Sequence, residues 1–482
     1  MDRFPRCRLS VATATMLCFA LTGCMVGPDY KQPKEEMPKE WVEASKTAAT
    51  SAPQDITHWW IVFKDPELDS LVQQAEKTNK DLKIAYARIR EARAQRTIAA
   101  SSLFPTLNSS ASYTRTRPSL DATLGTPPPQ PGVGGSFNYA QDLYQGGFDA
   151  SWEIDIFGGI RRSVEAAAAD IEASEENYRD TMVTMLSEVA VNYLTVRGAQ
   201  LRLDISNKNI ETQRKTLELT RVRFEAGLSS ELDVAQAKAQ LANTEATVPT
   251  IETTIRQSIY QLATLLGLPP DALVDQLLKQ APIPGIPPEV PVGLPSDLLR
   301  RRPDVRRAER QLAAATARIG VATADLYPRF SLTGNFGQAS MSLGDFVKSN
   351  SSVWSFGPTI NWNVFNAGAT RANIEVMKAR TEQALGTYEK AVLTSLKDVE
   401  SALAAYSREQ VRRQSLVESV QSSERAYEIS SELYSRGLVD FLRVLESERT
   451  LFLSQEQLAI SDQNVSTNLV ALYKALGGGW EL

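Results

Sequence analysis

The chain holds 482 residues, 23% of them charged, with a formal net charge of −5, three cysteines and one histidine. The acidic balance argues against a nucleic-acid partner, and hydrolase triads, zinc sites and phosphate-binding loops all lack their residues. The chain therefore reads as a non-enzyme, and its length allows about two to four ordinary domains.

In chain order, residues 1–23 come first. Arg3, Arg6 and Arg8 precede the apolar run Leu9–Leu21, the charged and apolar parts of an export signal too short to persist as a membrane helix. The run closes on FALTGC at 19–24. Leu-Thr-Gly-Cys resembles the bacterial lipobox, whose cysteine is acylated and becomes the mature N-terminus; an ordinary cleaved signal is the alternative. That resemblance implies diacylglycerol and palmitate on Cys24, and Met25 in place of an aspartate favours the outer membrane. Cys7 and Cys18 leave with the signal, so the mature chain has no internal disulfide, no thiolate cluster and no cysteine nucleophile. No cofactor is expected beyond the lipid. Residues 24–65 are expected to form the anchor and an extended linker. His58, beside Trp59 and Trp60, is expected to pack or lie at the surface, not to hold a metal.

From residue 66 the chain repeats itself. DLKIAYARIREARAQRTIAASSLFP at 81–105 aligns without gaps on DVRRAERQLAAATARIGVATADLYP at 304–328. FDASWEIDIF at 148–157 meets FGPTINWNVF at 356–365, and RFEAGLSSELDVAQA at 223–237 meets LYSRGLVDFLRVLES at 433–447. The order is the same in both halves, which reads as a tandem duplication. Repeat 1 covers 66–266, a proline-rich linker 267–302, repeat 2 303–476 and a tail 477–482. Each repeat opens on a segment of helix formers, 80–102 or 303–325, halted by a proline. Strand candidates follow at 103–115 and 137–157, then at 329–340 and 352–365. The first repeat carries an extra Pro- and Gly-rich loop at 117–136.

Period-2 alternation marks the strands. Phe148, Ala150, Trp152, Ile154 and Ile156 alternate with Asp149, Ser151, Glu153 and Asp155. Trp354, Phe356, Pro358, Ile360, Trp362 and Val364 alternate with polar or small residues, and Phe330, Leu332 and Phe336 do so with Ser331, Thr333 and Asn335. Each strand thus has one apolar and one polar face. In an exported chain this favours a lipid-facing side and a water-facing side over a half-buried soluble sheet. Segment 103–115 alternates only weakly. Four strands cannot close a barrel, since membrane barrels start at about eight, and open edges are not tolerated in hydrocarbon. Several chains must pool their strands; eight from a dimer and twelve from a trimer satisfy the count equally.

Proline-free stretches follow at 161–226 and 369–436. About 65 residues at about 1.5 Å each make a rod of roughly 100 Å. Each rod ends on a Gly-Leu turn, EAGLSS at 225–230 and SRGLVD at 435–440, glycine being suited to the left-handed position past a helix end. The chain then returns over 231–266 or 440–476, giving two antiparallel helical hairpins. The sustained heptads of a solid coiled coil are missing; mixed polarity suits the wall of a hollow cylinder.

CMVGPDY at 24–30, WWIVFKDPELDSLV at 59–72, WEIDIFG at 152–158 and LPSDLLRRRPDVRRAERQLAAATARIG at 294–320 together resemble the outer membrane factor family, the TolC-like channels of tripartite efflux systems, and best of all its lipoprotein branch. The resemblance covers nearly the whole mature chain. It implies an α+β membrane protein with an internal two-fold repeat: a trimeric, twelve-stranded transmembrane β-barrel, four strands per chain, continued by a long α-helical barrel through the periplasm. It places the chain in the Gram-negative outer membrane, lipid-anchored and extending into the periplasm. The partners implied are a homotrimer, outer membrane lipid, a periplasmic adaptor and an inner-membrane pump of the resistance-nodulation-division type. The function implied is a passive exit duct for drugs and other small toxic compounds, gated at its periplasmic tip.

By the same resemblance the tip is held shut between the end of one long helix and the start of a returning one. The matching positions are Asp233 and Tyr434, a carboxylate–phenol pair; the alternative is that Asp233 only stabilises the first turn of its helix. Acids are usual in the family's constriction where this chain reads FLRVLESER: Glu446 keeps the acid and Arg443 departs from it, so stacked rings of opposite charge can pair, which speaks against a strong cation preference; the alternative is a solvated helix face. Gly227, Leu228, Gly437 and Leu438 mark the two tips, where an adaptor hairpin could dock or where the leucines merely staple their caps. Trp152, Trp354 and Trp362 are expected as membrane-interface anchors. Heavy-metal cation export is the alternative within the channel class, with no Met or His cluster speaking for it. A non-channel, lipid-anchored strut spanning the periplasm is the alternative outside it and leaves the duplicated strands unexplained.

Overall fold

The structure is a computed structural model that describes residues 25–34, 36–43, 49–50, 56–117, 140–285, 290–291 and 295–481. Cys24, the signal segment and all but the first residue of the 117–136 loop lie outside the described residues. The main elements are α1 (Pro66–Thr78), α2 (Lys80–Ser101), β1 (Thr106–Thr116), β2 (Gln141–Ile154), α3 (Gly159–Glu225), α4 (Glu231–Leu265), α5 (Pro303–Ala324), β3 (Arg329–Ser340), β4 (Ser352–Asn361), α6 (Ala369–Ser435) and α7 (Phe441–Ala475). Helix and antiparallel strand are segregated along the chain, an α+β fold. None of the described helices is long and apolar enough to cross a membrane.

The chain folds into two compact units that cut across the repeats. One gathers the N-terminal residues through Gln32 with Glu91–Glu172 and Arg310–Leu385; the other gathers Pro33–Arg90, Ala173–Glu309 and Gly386 onward. Each unit draws on both repeats, so the duplicated sequence is a structural repeat and not a pair of domains.

In the first unit the strands form one antiparallel sheet in the order β1-β2-β3-β4. Strand β1 starts at Thr106, not at 103, because turn bonds from Ser102, Leu103 and Phe104 to the carbonyls three residues back keep the chain winding until Pro105. The register aligns the alternation across strands: Phe148 lies opposite Phe336, which lies opposite Trp354, and Ile154 opposite Phe330, which lies opposite Ile360. Asp149, Asn335 and Ser355 form the corresponding polar row, extended by Asn108, whose amide donates to Asp149 at 2.9 Å. On β1 only Leu107 and Tyr113 are large and apolar, yet the strand pairs with β2 along its whole length.

The residues after Cys24 lie along this unit. Val26 N–H donates to the Phe157 carbonyl at 3.1 Å, and the buried Arg162 donates to the Val26 carbonyl at 3.1 Å and to Asp29 at 2.7 Å. Gly27 has φ +90° and passes so close to Gly320 that a Cβ on it would lie 2.4 Å from the Gly320 Cα. Only glycine fits such a contact. Tyr30 packs on Ala169, Ala313 and Ala314. Residues 25–30, MVGPDY, thus form a strap along this unit.

In the second unit the segment WWIVF buries Trp59, Trp60 and Phe63, with Trp59 stacked on Tyr473 at 5.5 Å. Asp65 caps α1 by accepting from Glu67 N–H at 2.9 Å, while its other oxygen takes the Tyr193 hydroxyl at 2.6 Å. Around them α3, α4, α6 and α7 close an apolar belt in which Leu186, Val189, Leu262, Leu403, Val465 and Leu469 are fully buried. Arg302 is buried beside this belt. It donates to both oxygens of Asp304 (2.9 and 2.7 Å), to Asp398 (3.3 Å) and to the Ala475 carbonyl (3.2 Å), the bidentate geometry a guanidinium fork favours.

The four long helices end alike. Gly227, Gly267, Gly437 and Gly477 take φ between +68° and +75°. The residue after each sends its N–H five residues back: Leu228 to Arg223 and Leu268 to Ala263 at 2.8 Å, and Leu438 to Leu433 and Gly478 to Tyr473 at 2.9 Å. These are Schellman caps, which satisfy carbonyls that a helix end would otherwise leave bare.

Candidate functional site

Two surfaces stand out, the apolar face of the sheet in the first unit and the hairpin ends of the second. A contiguous apolar patch on a folded chain marks a surface meant to be covered. Phe336 is 61% and Trp354 76% exposed, in one cross-strand row with Phe148. Strands β1 and β4 are the sheet's two edges and have no further partner among the described residues.

The three tryptophans divide by position. Trp152 donates from Nε1 to the Leu103 carbonyl at 2.9 Å, and Trp362 from Nε1 to the Leu326 carbonyl at 3.1 Å. Leu103 and Leu326 are counterparts in the repeat. The tryptophans themselves are two positions out of register in it, but they share a face and reach the same carbonyl. Trp354 stands at the opposite end of β4. From Trp354 to Trp362 eight residues of extended chain span roughly 27 Å, on the order of the about 25 Å apolar band of membrane barrels. Indoles at both borders of an apolar band match the amphipathic interface of a bilayer.

At the hairpin ends the expected carboxylate–phenol pair does not form within one chain. Asp233 closes a capping box: its side chain accepts Ser230 N–H at 3.0 Å, and its own N–H donates to Ser230 Oγ at 3.3 Å. That satisfies the start of α4 reciprocally and holds the carboxylate on its own helix. Tyr434 is buried against Ala237, Phe441, Val444 and Leu445, and its hydroxyl has no hydrogen-bond partner among the described residues. What joins the two hairpins here is Arg223. Its guanidinium lies 4.7 Å from the centre of the Tyr434 ring and donates to the Tyr434 carbonyl at 3.0 Å and the Ser435 carbonyl at 3.3 Å. A cation on the carbonyls of a helix C-terminus is favourably placed, and the ring face adds attraction.

Arg443 and Glu446 pair on one exposed face of α7 at 3.4 Å, and Asp440 caps that helix by accepting Arg443 N–H at 3.2 Å. Leu228 and Leu438 remain 67% and 66% exposed, so stapling of the caps covers only part of them. Leu232 and Leu442, one turn further along, are exposed as well and enlarge each apolar tip. Arg223, Leu232 and Leu442 were not singled out from the sequence. For Arg223 a signal existed: the repeat counterpart of that arginine is Leu433, a break in the duplication at the tip.

Between the belt and the hairpin ends the same helices pack through polar groups. Asn209 donates to Gln455 at 3.0 Å, Arg202 to Glu456 at 2.7 Å and Arg449 to Gln240 at 2.7 Å. Gln213, Thr220, Thr244 and Glu448 are buried. Burial raises the Glu448 carboxyl from the ordinary range to about 7, because a charged carboxylate loses hydration there.

A family described as outer membrane efflux protein matches this chain over residues 71–268 and 294–478, segments that fall on the two repeats. Nodulation protein T of Rhizobium leguminosarum bv. trifolii is 31% identical over 473 residues, covering 98% of this chain and 98% of its own length. The solvent efflux pump outer membrane protein SrpC of Pseudomonas putida is 34% identical over 472 residues, covering 96% of this chain and 97% of its own. Among solved structures, the outer-membrane channel OprN superposes with a TM-score of 0.86 at 37% identity, covering 95% of this chain and 100% of that one.

Proposed function

The chain belongs to the outer membrane efflux protein family, and from that premise we propose that three copies of it form one passive exit duct for drugs and other small toxic compounds. An efflux channel of the outer membrane must seal a pore, and four strands per chain are too few. The observation that carries the proposal is the sheet itself: one exposed apolar face, one polar face, and two open edges. Pairing β4 of one copy with β1 of the next closes a twelve-stranded barrel. Such closure removes the unpaired backbone groups that hydrocarbon forbids. Conduction through it needs no catalytic group.

The hairpins continue the duct. In this reading Arg223 latches the two hairpins of each chain at the tip. Asp233 and Tyr434 meet only across neighbouring copies, and Arg443 with Glu446 lines the constriction as adjacent rings of opposite charge. The apolar tips at Leu228, Leu232, Leu438 and Leu442 receive a periplasmic adaptor, which links the duct to an inner-membrane pump of the resistance-nodulation-division type. The anchor is acylated Cys24. Met25 would be struck at 2.8 Å by any Cβ on Gly158, so the described strap begins against the segment that follows β2, where a membrane border is expected.

The test is edge-to-edge crosslinking. With Cys24 kept for acylation, single cysteines on β1 and β4, at Ser109 and Val353, should yield covalent trimers in native outer membranes, and the purified trimer should give stable conductance in planar bilayers. Monomers only, or an open-ended ladder, would defeat the closed ring of three.

A further inference from the structure

The polar stretch of the second unit encloses a cleft of about 520 Å3 between α3, α6 and α7, within the size range of small-molecule sites. Leu201, Ile205 and Leu451 give it apolar walls, and Tyr427 adds an aromatic ring. Its charges come from all three helices: Lys208 on α3, Glu424 and Glu428 on α6, Glu448 and Asp462 on α7. Most are already paired. Lys208 meets Asp204 at 2.7 Å, Glu428 meets Arg425 at 3.0 Å, and Asp462 meets Arg413. Among the described residues Glu424 and Glu448 have no lysine or arginine partner, and Glu448, although 3% exposed, keeps one oxygen without any hydrogen-bond donor there.

We propose that this cleft binds a lipophilic organic cation, an amine or onium group carrying apolar substituents, with Glu448 as its counter-ion. A buried carboxylate lacking a cation is unfavourable and must take up a proton or a counter-ion. The cleft far exceeds a bare ion, and no group of three His, Cys, Asp or Glu side chains among the described residues is arranged to hold a metal. Apolar walls, an aromatic ring and the buried Glu448 carboxylate, with Glu424 also unpaired at the cleft, instead match a cation with a greasy surface. The elevated Glu448 carboxyl, about 7, makes the proton a competitor: the cation binds as the carboxyl releases its proton to solvent.

Calorimetric titration of the detergent-solubilised full-length protein with tetraphenylphosphonium tests this. The wild type should bind about tenfold more tightly at pH 8 than at pH 6, as one proton near pH 7 is displaced. Glu448→Gln should lose at least about tenfold in affinity at pH 8 and flatten the pH dependence. Glu448→Asp, which keeps the charge, should retain the pH dependence and guards against a packing artefact in the glutamine variant. Neutral triphenylphosphine oxide should bind far more weakly and alike to all three. Equal affinity in wild type and Glu448→Gln, pH-independent binding, or matched binding of the neutral compound would overturn the assignment.

Discussion

The belt around Trp59 and the stretch toward the hairpin ends use the same four helices and obey opposite packing rules. In the belt, large apolar side chains interlock with almost no access to solvent, and Arg302 closes it with a fully partnered charge. Near the ends, amides, hydroxyls and a lone carboxyl occupy the positions between helices, and several of their atoms have no partner among the described residues. Well-packed apolar layers open rarely, while regions poor in apolar contacts sit at the low end of local stability. A duct with a moving entrance needs that contrast: one fixed ring, and beyond it helices free to separate.

Four substitutions sharpen the contrast. The largest effect belongs outside both regions, on the sheet that must be immobile in lipid. Phe336→Arg puts a charge in the centre of the Phe148–Phe336–Trp354 row and should cost about 2–4 kcal/mol, seen as loss of heat-resistant trimers on semi-native gels. Next comes Glu448. Its folded carboxyl is raised above its unfolded value, so the folded chain binds the proton more tightly, and stability falls as pH rises from about 4.5 through about 7. Glu448→Gln should abolish that fall and stabilise the helices at pH 8 by up to about 3 kcal/mol, read by thermal unfolding at pH 5 and pH 8. Arg223→Ala removes two charged hydrogen bonds between hairpins and should loosen the tip by about 1–3 kcal/mol. Single-channel conductance should rise, with Arg223→Lys intermediate; unchanged conductance would remove Arg223 from the gate. Smallest is the cap. Asp233→Ala should cost about 1 kcal/mol and raise leakage, whereas Asp233→Asn, which keeps an acceptor, should leave leakage near the wild type. Equal leakage from both would restore a role for the charge.

Much of the architecture was legible because it rests on periodicity. Alternation at 148–156 and 329–336 gave the sheet faces, and proline and glycine punctuation gave the helix ends. What stayed hidden depends on side-chain phase. In FLRVLESER the acid at 446 drew attention, yet Glu446 is exposed and Glu448 is buried: two residues along a helix turn the side chain by about 200°, and only packed neighbours decide which direction is inward. The Asp233–Tyr434 pairing failed within the chain for a similar reason. Ser230 stands three residues before Asp233, and a local capping partner is reached at far lower entropic cost than a distant phenol. Arg223 left only its mismatch with Leu433 in the repeat as a trace, because its partners are backbone carbonyls, which carry no pattern of their own.

The two unpaired edges of the sheet carry a genetic consequence. If a pore is sealed only when every seam between subunits closes, an allele damaged along β1 or β4 will poison mixed assemblies with its intact counterpart. With both forms made equally and joined at random, only about one ring of three in eight would be free of the defective subunit. Edge-strand alleles should therefore be dominant over wild type, while alleles confined to the Glu448 cleft should be recessive.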